Sequence, residues 1–140
     1  MRDPVYQEAI LRLAAWVDGA GRLAAPDASA RRDNPLCGDE VTLDLRLRGG
    51  RVEAVGLGVR GCLLCRASSA ALARGAVGRS AAELDGALAR VEAVLRAGAP
   101  PEGMLAELSA FLPVREVPSR HPCVLLPFEA LAAALRGAGG

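Results

Sequence analysis

The chain has 140 residues, with 17 basic and 16 acidic side chains, a formal net charge of +1 and 51% hydrophobic residues. This length fits one compact domain, residues 1–140, whose core is large enough to fold without disulfides. The balanced charge provides no basic patch, and no apolar run could span a bilayer, so we expect neither nucleic acid nor a membrane as partner. The first residues show no signal-peptide pattern, which predicts a cytoplasmic protein.

The chain begins with a predicted helix and a short edge strand. Apolar residues recur at helical spacing over residues 4–17, namely Tyr6, Ile10, Leu13 and Val17. Residues 28–32 then predict a short strand. The low aromatic content, 3%, indicates that the core is built from aliphatic side chains.

A β-hairpin is predicted next. Apolar and polar side chains alternate over residues 41–47, as they do in a half-buried strand. Gly49-Gly50 is a two-residue turn signal, and it leads to a return strand over residues 51–59. Gly56 and Gly58 in that strand indicate a bulge or a close approach of another backbone segment.

The rest of the chain predicts helices. An Ala-rich helix covers residues 62–76, and Ser80 with Glu83 forms a capping box for a helix carrying Leu84, Leu88, Val91 and Leu95 on one face. A short helix with Leu105, Leu108 and Leu112, a proline-marked connection over residues 113–122 and a last helix with Leu131 and Leu135 follow. This order predicts an α+β fold, in which helices pack on one face of a small antiparallel sheet of about three strands.

Three cysteines and one aspartate stand where ligands are usually presented. Cys37 and Asp39 lie in a loop before the first strong strand, whereas Cys62 and Cys123 lie near the starts of helices. A helix N-terminus favours a thiolate, and cytosolic cysteines are rarely paired in disulfides. Three thiolates and one carboxylate would complete the tetrahedral shell of Zn²⁺. Each cysteine taken alone could instead be a small buried core residue.

Two further residues are weaker ligand candidates. Cys65 forms a CxxC with Cys62, which is typical of a redox pair or half a zinc site, but burial in the helix is the favoured interpretation. His121 is two residues before Cys123 and is a spare-ligand candidate.

Three motifs resemble the family of IscU, SufU and the NifU N-terminal domain. They are Asn-Pro-Leu-Cys-Gly-Asp at 34–39, Gly-Cys-Leu-Leu-Cys-Arg-Ala-Ser-Ser at 61–69 and Arg-His-Pro-Cys-Val-Leu-Leu-Pro-Phe at 120–128. The resemblance extends over residues 34–135. The SufU branch is the most similar, because it carries an extra segment between the second and third motifs, where this chain has residues 76–118.

The chain also departs from the family pattern. Pro122 stands where IscU proteins have a histidine, and Val117-Pro118-Ser119-Arg120 replaces the chaperone-recognition motif of IscU. Residues 18–27 differ from the Asn-Pro-Arg-Asn-like segment that the family often has at this place.

The resemblance implies a sulfur acceptor that is not an enzyme on its own. It implies Zn²⁺ bound by Cys37, Asp39, Cys62 and Cys123, with Cys37 accepting persulfide sulfur from a cysteine desulfurase of SufS or IscS type. It also implies transfer to downstream cluster assembly or acceptor proteins, and in IscU-like members the same ligands hold iron or a transient [2Fe–2S] cluster.

Three alternatives remain open at this point. The first is a true [2Fe–2S] scaffold. The second is a structural zinc module, against which Asp39 argues because structural zinc sites prefer Cys and His. The third is a dithiol oxidoreductase using Cys62 and Cys65, which would need a thioredoxin-like βαβ unit that the predicted element order lacks.

Overall fold

The fold combines one three-stranded sheet with helices, as seen in a computed structural model that describes residues 7–139. The first half contains helix α1 and three strands: α1 Glu8–Val17, β1 Ala28–Asn34, β2 Asp39–Arg48 and β3 Arg51–Arg60. The second half contains four α-helices and two 3-10 helices: α2 Leu63–Ala76, α3 Ala81–Leu84, α4 Ala87–Ala97, the 3-10 helices Gly103–Glu116 and Pro118–Arg120, and α5 His121–Gly139. The α+β prediction is confirmed, although residues 4–6 of the predicted first helix lie outside the described residues.

The sheet is antiparallel, with strand order β1-β2-β3. The Gly49-Gly50 hairpin is confirmed, and both glycines have the positive φ (+60° and +77°) that this tight turn requires. Alternate side chains of β2, namely Val41, Leu43 and Leu45, are fully buried in the core. Helix α5 packs against β1 and β2, and α2 packs against β3 and α5, so the helices cover the core side of the sheet.

The helix predicted to follow the capping box and to carry Leu84, Leu88, Val91 and Leu95 is divided in two. Gly86 adopts φ +79°, which a continuous right-handed helix cannot include, and α4 begins at Ala87. Val91 and Leu95 are buried as expected, because the apolar spacing continues across the break. The capping box of Ser80 and Glu83 is confirmed, and it begins the four-residue α3.

The α-helix predicted around residues 105–112 is instead a 3-10 helix, Gly103–Glu116. Its buried side chains, apart from Met104, are spaced by three residues: Leu105, Leu108, Phe111 and Val114. A 3-10 helix has three residues per turn, so this spacing places them on one face, and Leu112 is only partly buried. The connection predicted over residues 113–122 is likewise largely 3-10 structure. Among residues 7–139, no helix combines the length and apolarity needed to cross a membrane.

A strap formed by residues 21–23 crosses β3 to the outer face of the sheet. The Leu57 backbone N–H donates to the Gly21 carbonyl at 3.0 Å. A Cβ atom at Gly56 would lie 2.6 Å from the Leu23 nitrogen, so only glycine allows this crossing. The predicted close backbone approach is therefore confirmed at Gly56.

Asp44 on β2 fixes this strap. Its carboxylate is fully buried and accepts hydrogen bonds from Arg22 Nε at 2.6 Å, Arg22 Nη2 at 2.9 Å and the Leu23 backbone N–H at 3.0 Å. The Ser29 hydroxyl donates a further bond. Burial acts to raise the pKa of Asp44, but these hydrogen bonds and the Arg22 charge hold the pKa below its ordinary value.

We expect Asp44→Asn to lower the unfolding free energy by about 2 kcal/mol at pH 7, because charge-assisted hydrogen bonds are lost. A depressed folded-state pKa stabilises the fold above the unfolded-state pKa of about 4, and that stabilisation disappears as the pH falls through the folded-state pKa. Urea unfolding from pH 7 downward should therefore show the gap between wild type and variant narrowing below about pH 4. The exposed Asp33→Asn is the control, and a gap independent of pH would contradict the assignment.

Candidate metal centre

The loop that carries Cys37 is organised by Asn34, the last residue of β1. The Asn34 side-chain oxygen accepts the Leu36 backbone N–H at 3.0 Å. The Asn34 carbonyl accepts the N–H groups of Cys37 at 3.3 Å and Gly38 at 2.8 Å. Gly38 has φ +76°, which allows the loop to turn into β2. One residue therefore fixes the backbone of the loop and leaves the Cys37 side chain exposed.

Asp39 begins β2 and is buried, with 2% of its surface exposed. Its Oδ1 accepts the Cys62 backbone N–H at 2.9 Å, and its Oδ2 lies 3.4 Å from Cys62 Sγ. A Cβ atom at Gly61 would lie 2.9 Å from Asp39 Oδ1, so glycine is needed for this approach. Cys62 is the N-cap of α2, and the carboxylate therefore joins the start of that helix to the start of β2.

Cys123 is in the first turn of α5 and is 4% exposed. Helix α5 is tied to α2 by Ser68, whose buried hydroxyl donates to the Val124 carbonyl at 2.6 Å. This bond ties the second turn of α2 to the first turn of α5, next to Cys123 in the chain. Ser68 therefore helps to position α5, and with it Cys123. The composition of the Ala-rich helix gives no sign of this role.

These elements bring the ligand candidates to one place. The side-chain ligand atoms of Cys37, Asp39 and Cys123 all lie within 4.8 Å of one another. Cys62 is outside that group, but its thiol lies 3.4 Å from Asp39 Oδ2. Tetrahedral Zn²⁺ with Zn–S bonds of about 2.3 Å holds its sulfur ligands about 3.8 Å apart. The donor set of three thiols and one carboxylate suits a cation such as Zn²⁺, and Cys62 would have to move to join the other three residues in one shell.

The pKa values of the Cys62 and Cys123 thiols move in opposite directions. Interaction with the neighbouring Cys123 thiol is the main cause that lowers the pKa of Cys62 to about 7, against the opposing effect of burial. Interaction with the Cys62 thiol, followed by burial and by the charges of Cys62 and Asp39, raises the pKa of Cys123. A positive charge at the site would favour the thiolate form of both residues.

The two weaker candidates lie apart from this group. Cys65 is fully buried in the core, and burial together with the charges of Asp39, Cys62 and Cys37 raises the pKa of its thiol. The His121 Nε2 atom lies within hydrogen-bond distance, 3.1 Å, of the Val114 carbonyl oxygen in the 3-10 helix Gly103–Glu116.

Cys65→Ala is expected to keep the full metal content, with a loss of about 1 kcal/mol in unfolding free energy. The reason is that Cys65 packs in the core beneath the site. Elemental analysis of the purified variant measures the metal per chain. A loss of metal would instead make Cys65 a ligand and place Asp39 outside the shell.

Asn34→Ala is expected to weaken zinc binding by about tenfold, as is common when a residue that orients a ligand is removed. Asn34→Asp should retain wild-type affinity, since a carboxylate oxygen can accept the same Leu36 N–H. Competition with a chromogenic zinc chelator measures both affinities. Equal affinities of the alanine variant and the wild type would show that the loop does not need this side chain.

The fold and the site define a small α+β protein with a thiolate-rich candidate metal centre. The family described as the NifU-like N-terminal domain matches residues 5–108, which is most of the chain. The chain belongs to this family, and the resemblance stated from the motifs is confirmed. Cys123 lies beyond the matched residues, so the structure alone places it beside Cys37 and Asp39.

A NifU-like protein, a SUF-system scaffold and an IscU protein are similar to this chain over nearly its whole length. A nitrogen-fixing NifU-like protein (N-terminal) from Brucella abortus has 38% identity and a TM-score of 0.89, covering 98% of this chain and 96% of its own. A Fervidobacterium islandicum protein described as an iron–sulfur cluster assembly scaffold for the SUF system has 26% identity and a TM-score of 0.84, with coverage of 94% and 96%. The iron–sulfur cluster assembly scaffold protein IscU of Thermotoga maritima is 27% identical over 132 residues, with coverage of 94% and 93%.

Proposed function

We propose that this chain acts in iron–sulfur cluster assembly by accepting persulfide sulfur from a cysteine desulfurase at Cys37. Family membership and the relatives named as cluster assembly scaffolds support the general role. The site supports the chemistry, because its thiols and its carboxylate converge from a loop, a strand and two helix starts. Such thiols must stay reduced, which fits a reducing compartment such as the cytoplasm.

One observation carries the sulfur-acceptor role: Cys37 is the exposed thiol of the site. Cys62 is half-buried, and Cys65 and Cys123 are buried. A persulfide on a partner protein can reach only a thiol that is accessible from outside. Cys37 also lies in a loop, whereas Cys62 and Cys123 are held by the packing of α2 against α5.

The proposed transfer is an exchange at sulfur. The Cys37 thiolate attacks the terminal sulfur of the partner's persulfide, the partner's S–S bond breaks, and the partner leaves as a thiolate. The product is a persulfide on Cys37, with no net oxidation or reduction. Zinc held by Cys37, Asp39, Cys62 and Cys123 would keep the thiolates deprotonated while being redox-inert itself. Asp39, a hard oxygen ligand among soft thiolates, is the member expected to exchange most readily.

Incubation with a purified cysteine desulfurase and L-cysteine tests the proposal directly. Mass spectrometry of the intact chain should show added sulfur, and peptide mapping should place it on Cys37. A chain that stays unmodified while the desulfurase turns over cysteine would contradict the acceptor role.

A scaffold for a [2Fe–2S] cluster is the second candidate, because two of the relatives are named as scaffolds and four ligands are available. The cluster would then be passed to downstream assembly or acceptor proteins. Anaerobic reconstitution with iron and sulfide separates the two functions, since a scaffold becomes coloured and a zinc-bound acceptor stays colourless.

The structure disfavours the other two alternatives. A structural zinc module would be expected to enclose its ligands, yet Cys37 is exposed. A dithiol oxidoreductase would need Cys65 within reach of a substrate, yet Cys65 is fully buried, and α2 follows an antiparallel hairpin and not a parallel βαβ unit.

A further inference from the structure

Leu36, next to Cys37, is an apolar side chain held almost entirely in water. It is 96% exposed, compared with 51% for Val77 and 45% for Leu11, the next most exposed large hydrophobic residues that the structure describes. A single exposed leucine is common on protein surfaces and does not by itself indicate a binding site. Leu36, however, is the residue next to the exposed thiol of the site.

The loop keeps Leu36 in this exposed position. Its N–H is bound by the Asn34 side chain, and the next two N–H groups are bound by the Asn34 carbonyl. Pro35 further restricts the backbone ahead of it. Because none of these bonds involves the Leu36 side chain, that side chain can be exchanged without removing any of them.

A protein that donates sulfur to Cys37 must also cover Leu36. Reacting atoms have to approach to about 3–3.5 Å, and a specific interface buries about 800 Å² on each partner. The residue adjacent to the reacting thiol therefore lies within the contact area. We propose that Leu36 is the apolar anchor by which the persulfide-bearing desulfurase docks on this loop, through an apolar pocket beside its own persulfide. This inference rests on the proposed function of Cys37.

The test compares Leu36→Ser with Leu36→Met in sulfur transfer from a purified cysteine desulfurase supplied with L-cysteine. The initial rate of Cys37 persulfide formation is measured against acceptor concentration. Leu36→Ser should raise KM by about tenfold with kcat near that of the wild type, since the apolar contact contributes to docking and not to the exchange. Leu36→Met keeps an apolar side chain, and its KM should be close to that of the wild type.

Two controls separate docking from other effects. Inorganic polysulfide, a sulfur donor without a protein surface, should modify Cys37 equally fast in Leu36→Ser and in the wild type. Val77→Ser removes the second most exposed large hydrophobic side chain that the structure describes, and it should leave KM unchanged. An unchanged KM in Leu36→Ser, or an equal slowing with polysulfide, would overturn the docking role while the proposed function stands. A wild type that takes no sulfur from the desulfurase would refute the proposed function itself.

Discussion

Cys37→Ser is expected to abolish sulfur acceptance from a cysteine desulfurase. A hydroxyl is far less acidic than a thiol and cannot form a persulfide, so the exchange has no nucleophile. Cys62 and Cys123 cannot substitute for it, because they are less accessible to a partner protein. Mass spectrometry after incubation with the desulfurase and L-cysteine should show no added sulfur on the variant.

Cys65→Ala is the matched control for this experiment, because it removes a thiol that lies in the core. It should accept sulfur as the wild type does. Some metal should remain bound to Cys37→Ser through Asp39, Cys62 and Cys123, which would show that the variant is folded. Finding the wild-type sulfur on Cys62 or Cys123, with Cys37 unmodified, would contradict the assignment.

The elements with an unambiguous period could be predicted from the sequence. Alternation over residues 41–47 and the Gly49-Gly50 turn specify the hairpin, because a strand has a period of two and the turn needs positive φ. The break at Gly86 cannot be predicted from the apolar spacing, because that spacing continues across it. The 3-10 helix cannot be distinguished from an α-helix by Leu105 and Leu108, because a separation of three residues is compatible with periods of both 3.0 and 3.6.

The candidate ligands could be named from the sequence, but the parts that hold them in place could not. Cys37, Asp39 and Cys123 meet only after the sheet and α5 have packed together. The roles of Gly61 and Ser68 depend on the Asp39 carboxylate and the Val124 carbonyl that come near them in the fold, and no periodicity encodes that. The Gly-Cys pair at a strand-to-helix junction was the signal that could have indicated a close approach at Gly61.

The two oxygens of the Asp39 carboxylate have different contacts, which would allow it to bind a cation together with the thiolates. Its Oδ1 accepts the Cys62 N–H, which fixes the carboxylate, while its Oδ2 faces the Cys62 thiol at 3.4 Å. One oxygen thus has a structural partner and the other is available to a cation without a change of rotamer. A cation at this point would contact Oδ2 and the thiolates together, and the stability of the site should depend on it.

The purified chain is expected to contain about one zinc per chain, and removing it should lower the melting temperature by more than about 10 °C. Metal-binding energy is folding energy for a site assembled only in the folded chain. Without the cation, the converging negative groups repel one another. Elemental analysis gives the stoichiometry, and circular dichroism melts with and without chelator give the shift. Cys123→Ser should lose most of this shift, whereas the exposed Asp33→Asn should keep it. If the metal-free chain had the same melting temperature as the metal-bound chain, these four residues would not share an ion that stabilises the fold.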